Sequence, residues 1–244
     1  MALDGRVSSS STVTTLVFDV LGTLLDEDAG QLAAARREVQ DDAPAFVARW
    51  QQLHSAALAA VREGRRPYAA AEVLSAEAVV VTAAERGEQL TAPQVQRLAT
   101  SGRRLAPFPE VVQVLDRLAP SHALVALTNA GTAQAFAMSR SAGLRWTTLV
   151  SGETVRAYKP DPRMYQHVLG ALDLEPGGCL FVAAHPWDLD AAAHHGFRTG
   201  YVDRAGSSPA ELAAFAQRFD HVATDLAALV AQLPRDAGGP AGPR

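Results

Sequence analysis

Apolar positions along the 244-residue chain follow two rhythms. Short continuous runs bounded by turn residues read as buried strands: Thr15–Val20, Ala123–Leu127, Thr147–Val150, Cys179–Ala184 and Thr199–Val202. Between Ala29 and Arg104 the rhythm is helical instead, with Phe46, Trp50, Leu53 and Ala57, then Val73, Leu74 and Val80. Gly64-Arg-Arg-Pro67 interrupts that stretch, and Thr91-Ala-Pro93 opens a new helix with proline in its first turn. Three to five helices are expected there. After Pro107 strands alternate with helices: Pro109–Leu118, Thr132 to Gly143, one opened by Asp161-Pro162, one stopping at Gly196, and a last around Leu226–Leu233.

Alternating strands and helices predict an α/β fold, a doubly wound parallel sheet with an inserted all-helical subdomain. The expected division is a core of residues 14–28 and 105–233, a helical lobe of 29–104, a loose leader at 1–13 and a disordered Gly/Pro-rich tail at 234–244. Ligands of such sheets bind at the carboxyl ends of the strands, near the point where strand order reverses.

Composition narrows the function classes. A formal charge of −4 and a pI near 6.0 argue against nucleic acid or an anionic membrane as partner. No run of roughly 18 apolar residues suggests a membrane span, and the N-terminus lacks the order of a signal peptide. The single cysteine, Cys179, sits in a strand pattern, suits a reducing cytoplasmic setting and reads as core packing. Of 22 basic residues 21 are arginine; Lys159 is the one lysine. Codon bias accounts for the arginines but not for the remaining lysine, whose compact ammonium does what a planar guanidinium cannot.

Four strand ends then carry polar residues in order: Asp19, Thr128-Asn129, the loop with Lys159, and Asp188. Singly, Asp19 could cap a turn, Thr128-Asn129 could start a helix and Asp188 could be an N-cap. Together they describe a carboxylate nucleophile kept ionised and oriented by an ammonium, hydroxyls and an amide.

At these residues the chain resembles the haloacid dehalogenase superfamily, from Thr15 to Leu233. The motifs are Phe18-Asp19-Val-Leu-Gly22-Thr23-Leu24, Leu127-Thr128-Asn129, Tyr158-Lys159-Pro160-Asp161 with Tyr165, and Val182-Ala-Ala-His185-Pro-Trp187-Asp188. Within the superfamily the resemblance is closest to L-2-haloacid dehalogenases. It implies that Asp19 attacks C2 of a small 2-haloalkanoic acid, expelling halide, and that water hydrolyses the aspartyl ester. Lys159, Thr23, Thr128 and Asp188 would complete the catalytic set, with Asp188 helping to activate water. Val20, Leu21, Asn129, Gln51, Tyr165, His185 and Trp187 would contact substrate, backbone amides after Asp19 receiving its carboxylate. No cofactor is implied. A homodimer is the assembly to look for, since apolar helical lobes of this kind often pair.

Leu21 separates this reading from its main alternative, a phosphatase of the same superfamily. Phosphatases place a second aspartate there to protonate an alkoxide, whereas halide leaves as a stable anion. Ala184 likewise stands where phosphatases carry an acid for Mg²⁺, so no metal is expected. Two departures keep open a paralogue that binds without turnover. Gln51 follows Trp50 where the family carries arginine, and Arg49 points about 100° away on a helix. Ala183 and His185 replace serine and asparagine, His185 being a candidate water-activating base. The pair His194-His195 reads as helix surface.

Overall fold

The structure is a computed structural model and describes residues 12–233. Most of the predicted leader and the whole predicted tail lie outside the described residues. Val13, assigned to that leader, instead packs in the core, and the Thr14 amide donates to the Gly178 carbonyl.

Six parallel strands form one sheet in the order β3-β2-β1-β4-β5-β6. They are β1 (Thr15–Phe18), β2 (Ala123–Thr128), β3 (Thr148–Ser151), β4 (Cys179–Ala183), β5 (Arg198–Val202) and β6 (His221–Ala223). Side chains alternate across the sheet, as a pleated strand requires. Leu16, Phe18, Leu124, Ala126, Leu180 and Val182 enter one core layer. Val17, Val125, Leu127, Phe181 and Ala183 enter the other. Helices α5 (Val111–Leu118), α6 (Thr132–Ala142) and α11 (Leu226–Val230) cover the first layer. The second is covered by the short α7 (Gly152–Val155), α8 (Pro162–Ala171), α9 (Pro186–His194) and α10 (Pro209–Ala216). With both faces buried, the strands read as continuous apolar runs. Cys179 is free and buried in the second layer, and burial pushes its thiol up to about 11.

Between β1 and β2 lie α1 (Glu27–Glu38), α2 (Ala43–Arg62), α3 (Ala71–Glu85) and α4 (Ala92–Ala99). They close on their own core of Phe46, Val47, Trp50, Val79 and Leu98. Val73 and Val80, expected on the inner face of α3, are 50% and 52% exposed; Leu74, Ala78 and Val79 are the residues turned inward. The alanine-rich α3 offers apolar residues on every side, so its rhythm cannot select the buried one. Two short elements lacked a sequence signal. β6 is three residues long, and α10 has no fully buried side chain.

The lobe meets the core through one aromatic contact of note. Tyr158, in the loop after β3, is buried against Ala71 and Leu74, stacks on Tyr68 at 5.2 Å and donates its hydroxyl to the Ala69 carbonyl at 2.5 Å.

Candidate active site

β1 is buried along its whole length, and it pairs with β2 on one side and β4 on the other. The switch in strand order therefore falls beside it, and Asp19 is the first residue past its end. The chain then folds back tightly. The amides of Thr23, Leu24 and Leu25 donate to the Val20 carbonyl, and the Gly22 amide donates to Leu25. Gly22 has φ +74°, and a Cβ there would sit 3.0 Å from the His185 ring, so both backbone and neighbour require glycine.

This turn returns Thr23 under Asp19. Its hydroxyl donates to Asp19 Oδ2 at 2.5 Å and accepts from the Ala184 amide at 2.9 Å, tying β1 to the end of β4. Lys159 Nζ donates to Asp19 Oδ1 at 2.7 Å and to Asp188 Oδ2 at 2.5 Å, while Tyr165 donates to Asp188 Oδ1 at 2.5 Å. Asp19, Lys159, Asp188 and Tyr165 are all buried. His185 Nδ1 lies 3.0 Å from Asp19 Oδ2, its ring against Trp187. Asn129 Oδ1 accepts from the Lys159 amide at 2.7 Å, fixing the lysine loop to the end of β2, and Thr128 Oγ1 accepts from the Ala130 amide.

Charges in this cluster are mutually set. Burial pushes the Asp19 carboxyl up, but Lys159 and His185 outweigh it and hold it well below the usual carboxylate range. Burial works against the Lys159 ammonium, yet Asp188 and Asp19 keep its pKa raised. Asp188 is raised by burial and by Asp19, with Lys159 pulling it back. Tyr165 is raised by burial and by Asp188, so it stays a donor. The pair presented to a ligand is an ionised carboxylate beside an ammonium.

Asp19 opens onto a cavity of about 320 Å³ between core and lobe. Leu21, Gln51, Thr128, Asn129, Lys159, His185 and Trp187 line it. Two expected substrate contacts do not. The Val20 side chain is buried in the sheet core, so only its backbone can reach the cavity. Tyr165 lies behind Asp188, and its ring stacks on His195 at 5.4 Å. His195, half-exposed at the end of α9, thus packs on the ring behind the site while still reaching the surface. Thr23 and Asp188 likewise touch Asp19 and Lys159 from behind the cavity wall.

On the lobe side Trp50 is buried and donates to Ser75, and Arg49 pairs with Glu85 on the outside, away from the cavity. Among the lining residues that carried no motif are three titratable ones of the lobe, Glu27, Asp28 and His54. Burial, together with Asp19 and Asp28, pushes the Glu27 carboxyl up to about 7. The only signal in the sequence was an acidic first turn, which reads as ordinary helix capping.

A buried aspartate held by lysine and threonine at the switch point of a 3-2-1-4-5-6 sheet has the surroundings that a hydrolase working through a carboxylate nucleophile requires. The family model for haloacid dehalogenase-like hydrolases matches residues 13–196, and the chain belongs to that family. It is 30% identical over 203 residues to (S)-2-haloacid dehalogenase H-109 of Pseudomonas putida, covering 82% of this chain and 89% of that protein. It is 33% identical over 165 residues to (S)-2-haloacid dehalogenase of Pseudomonas sp. (strain YL), covering 66% and 70%. A crystal structure of an L-2-haloacid dehalogenase superposes with a TM-score of 0.83 at 31% identity, covering 91% of this chain and 98% of that one.

Proposed function

We propose that this chain is a hydrolytic dehalogenase removing halide from C2 of a small 2-haloalkanoic compound, the acids being the class for which its relatives are named. The observation that carries the reading is the Asp19–Lys159 pair, buried yet opening on a cavity sized for a small molecule. An Asp19 oxygen attacks C2 from the face opposite the halogen, forming the ester as the carbon–halogen bond breaks. Water then adds to the Asp19 carbonyl carbon, releasing the alcohol and the carboxylate. Lys159 keeps Asp19 ionised, Thr23 orients it, and Thr128 and Asn129 frame the substrate. Asp188 and Tyr165 act through Lys159 as positioning residues. His185, touching Asp19 from the open side, is the base that prepares water. The amides of Gly22 and Thr23 are bonded within the turn, so those of Val20 and Leu21 are the ones offered to the substrate's acyl oxygen.

Leucine at 21 supports halide over alkoxide as leaving group, and alanine at 184 supports turnover without added metal. The helical lobe closes the cavity and sets substrate size. The test is halide release from 2-bromopropionate and related compounds in metal-free buffer, with single-turnover ¹⁸O-water labelling of Asp19. Asp19→Asn is expected to lower halide release by at least about a thousandfold. Phosphate release from p-nitrophenyl phosphate with Mg²⁺, and no halide release, overturns the reading.

A further inference from the structure

Thr23 is the residue through which the turn after β1 meets Asp19, and its polar groups are held from different directions. Its amide donates to the Val20 carbonyl within the turn, and its hydroxyl joins Asp19 Oδ2 to the Ala184 amide. Among the described residues no backbone amide donates to its carbonyl. That carbonyl accepts instead from Arg204 Nε at 3.0 Å, 181 positions away in the chain.

Arg204 is prepared for this contact by its own loop. The Asp203 amide, just past β5, donates to the Ala223 carbonyl of β6. The Asp203 carboxylate accepts from the Ala205 and Ser207 amides and from the Ser207 hydroxyl. An aspartate closing on amides a few residues ahead fixes the course of a loop. The Arg204 side chain then runs inward and is only 11% exposed. Its Nη2 donates to Glu110 Oε1 at 2.7 Å, and its Cζ lies 4.0 Å from the centre of the Phe108 ring. Glu110 Oε1 also accepts from the Leu226 amide at the start of α11, at 3.1 Å.

These contacts meet at the root of the lobe. The chain leaves the core through residues 24–26 and returns through 106–108, and the two crossings are bonded side by side. The Asp26 amide donates to the Ala106 carbonyl, and the Phe108 amide to the Leu24 carbonyl. Arg204 touches Thr23 beside the outgoing crossing, and Phe108 and Glu110 on the returning one. A guanidinium suits this place because its plane stacks while its edges donate at fixed angles; an ammonium has no plane. Arg204 does not line the cavity, so what it contributes to the chemistry passes through Thr23.

We propose, building on the dehalogenase reading above, that Arg204 is a positioning residue for the displacement step: it fixes the Thr23 carbonyl, and so aims the Thr23 hydroxyl at Asp19 Oδ2. The carboxylate is then held on the line along which its oxygen reaches C2. A misplacement of about 1 Å at a reacting atom costs on the order of a hundredfold in rate. No bond to Arg204 forms or breaks, and Glu110 balances its charge throughout.

The test compares full-length wild type, Arg204→Lys, Arg204→Gln and Glu110→Gln, all well below their melting temperatures. Halide release from (S)-2-bromopropionate is followed beside amide hydrogen exchange in the turn. Both Arg204 variants are expected to lower kcat more than about tenfold with KM changed less than about threefold. Exchange at the Thr23, Leu24 and Leu25 amides is expected to quicken about tenfold in the same variants. Glu110→Gln keeps an acceptor for Arg204 and for the Leu226 amide, so its kcat is expected to stay within about twofold even where its melting temperature falls. In a Thr23→Ala background no hydroxyl is left to aim. There Arg204→Lys is expected to slow single-turnover ester formation on Asp19 less than about threefold further, whereas a merely structural arginine would cost its full factor again. A kcat within about threefold of wild type in both Arg204 variants, or an undiminished loss in the Thr23→Ala background, overturns the assignment. Wild-type halide release leaves the dehalogenase reading intact in that case. No halide release by the wild type overturns that reading. Hydrogen exchange, which needs no turnover, still decides whether Arg204 holds Thr23: unchanged protection in Arg204→Lys shows that it does not.

Discussion

Asp19 and Lys159 lie 140 positions apart in the chain and 2.7 Å apart in space, both shielded from water. Each makes the other's charge tolerable, and Asp188 holds the lysine from the far side. Lys159→Met leaves two buried carboxylates without their cation. It is expected to cost about 3–5 kcal/mol in urea unfolding at neutral pH and to abolish halide release. Lys159→Arg keeps the charge but not the compact three-way donor, so a severe loss of activity with a smaller loss of stability is expected. His185 gives a pH signature. Burial lowers its pKa, but the bond and charge of Asp19 raise it above 6.5. A raised folded-state pKa means that the stabilisation is full below the unfolded value and fades as pH rises through the folded one. An imidazolium on Asp19 Oδ2 also restrains the carboxylate proposed to attack, so halide release should climb over that same interval. In His185→Asn the climb should flatten, and so should the matching fall in melting temperature; pH–rate and pH–melting series check both.

At the scale of elements, the tight turn between β1 and α1 positions the chemistry. Its glycine combines φ +74° with contact to His185, so Gly22→Ala should cost about 1–3 kcal/mol and displace the histidine. The expected readout is a lower unfolding midpoint together with a kcat loss, whereas a glycine needed only for the turn would move stability alone. This part of the site was legible in the sequence because strand ends followed by glycine and polar residues are local signals. Lys159 was legible through its rarity. The lobe wall was not. Glu27 and Asp28 look like helix-capping acids, and His54 like any residue on an alanine-rich helix, because only packing aims them at the cavity. Tyr165 was legible as a site residue but not its place behind Asp188, since helical spacing gives a direction and no depth.

For the whole molecule, the cavity exists because a helical lobe is laid over the carboxyl edge of the sheet. Tyr158 joins the two by burying its ring under α3 and donating to Ala69. Tyr158→Phe keeps the ring and loses the bond. A destabilisation of about 0.5–1.5 kcal/mol is expected, with a larger effect on KM than on kcat as the wall loosens over the substrate; steady-state kinetics beside thermal unfolding distinguish the two. The parallel α/β class, the burial of the strands and the place of Asp19 at a strand end follow from apolar runs and their spacing, which the sequence displays directly, whereas the strand order came from the tertiary structure. Which side of α3 faces inward, which nitrogen of His54 is left without a partner, and that Gln51 turns its donors into its own wall were decided only by the tertiary structure. The reason is physical: backbone hydrogen bonding and hydrophobic burial act through local pattern, whereas a cavity's donors, acceptors and charge balance arise from groups brought together by packing across elements far apart in the chain.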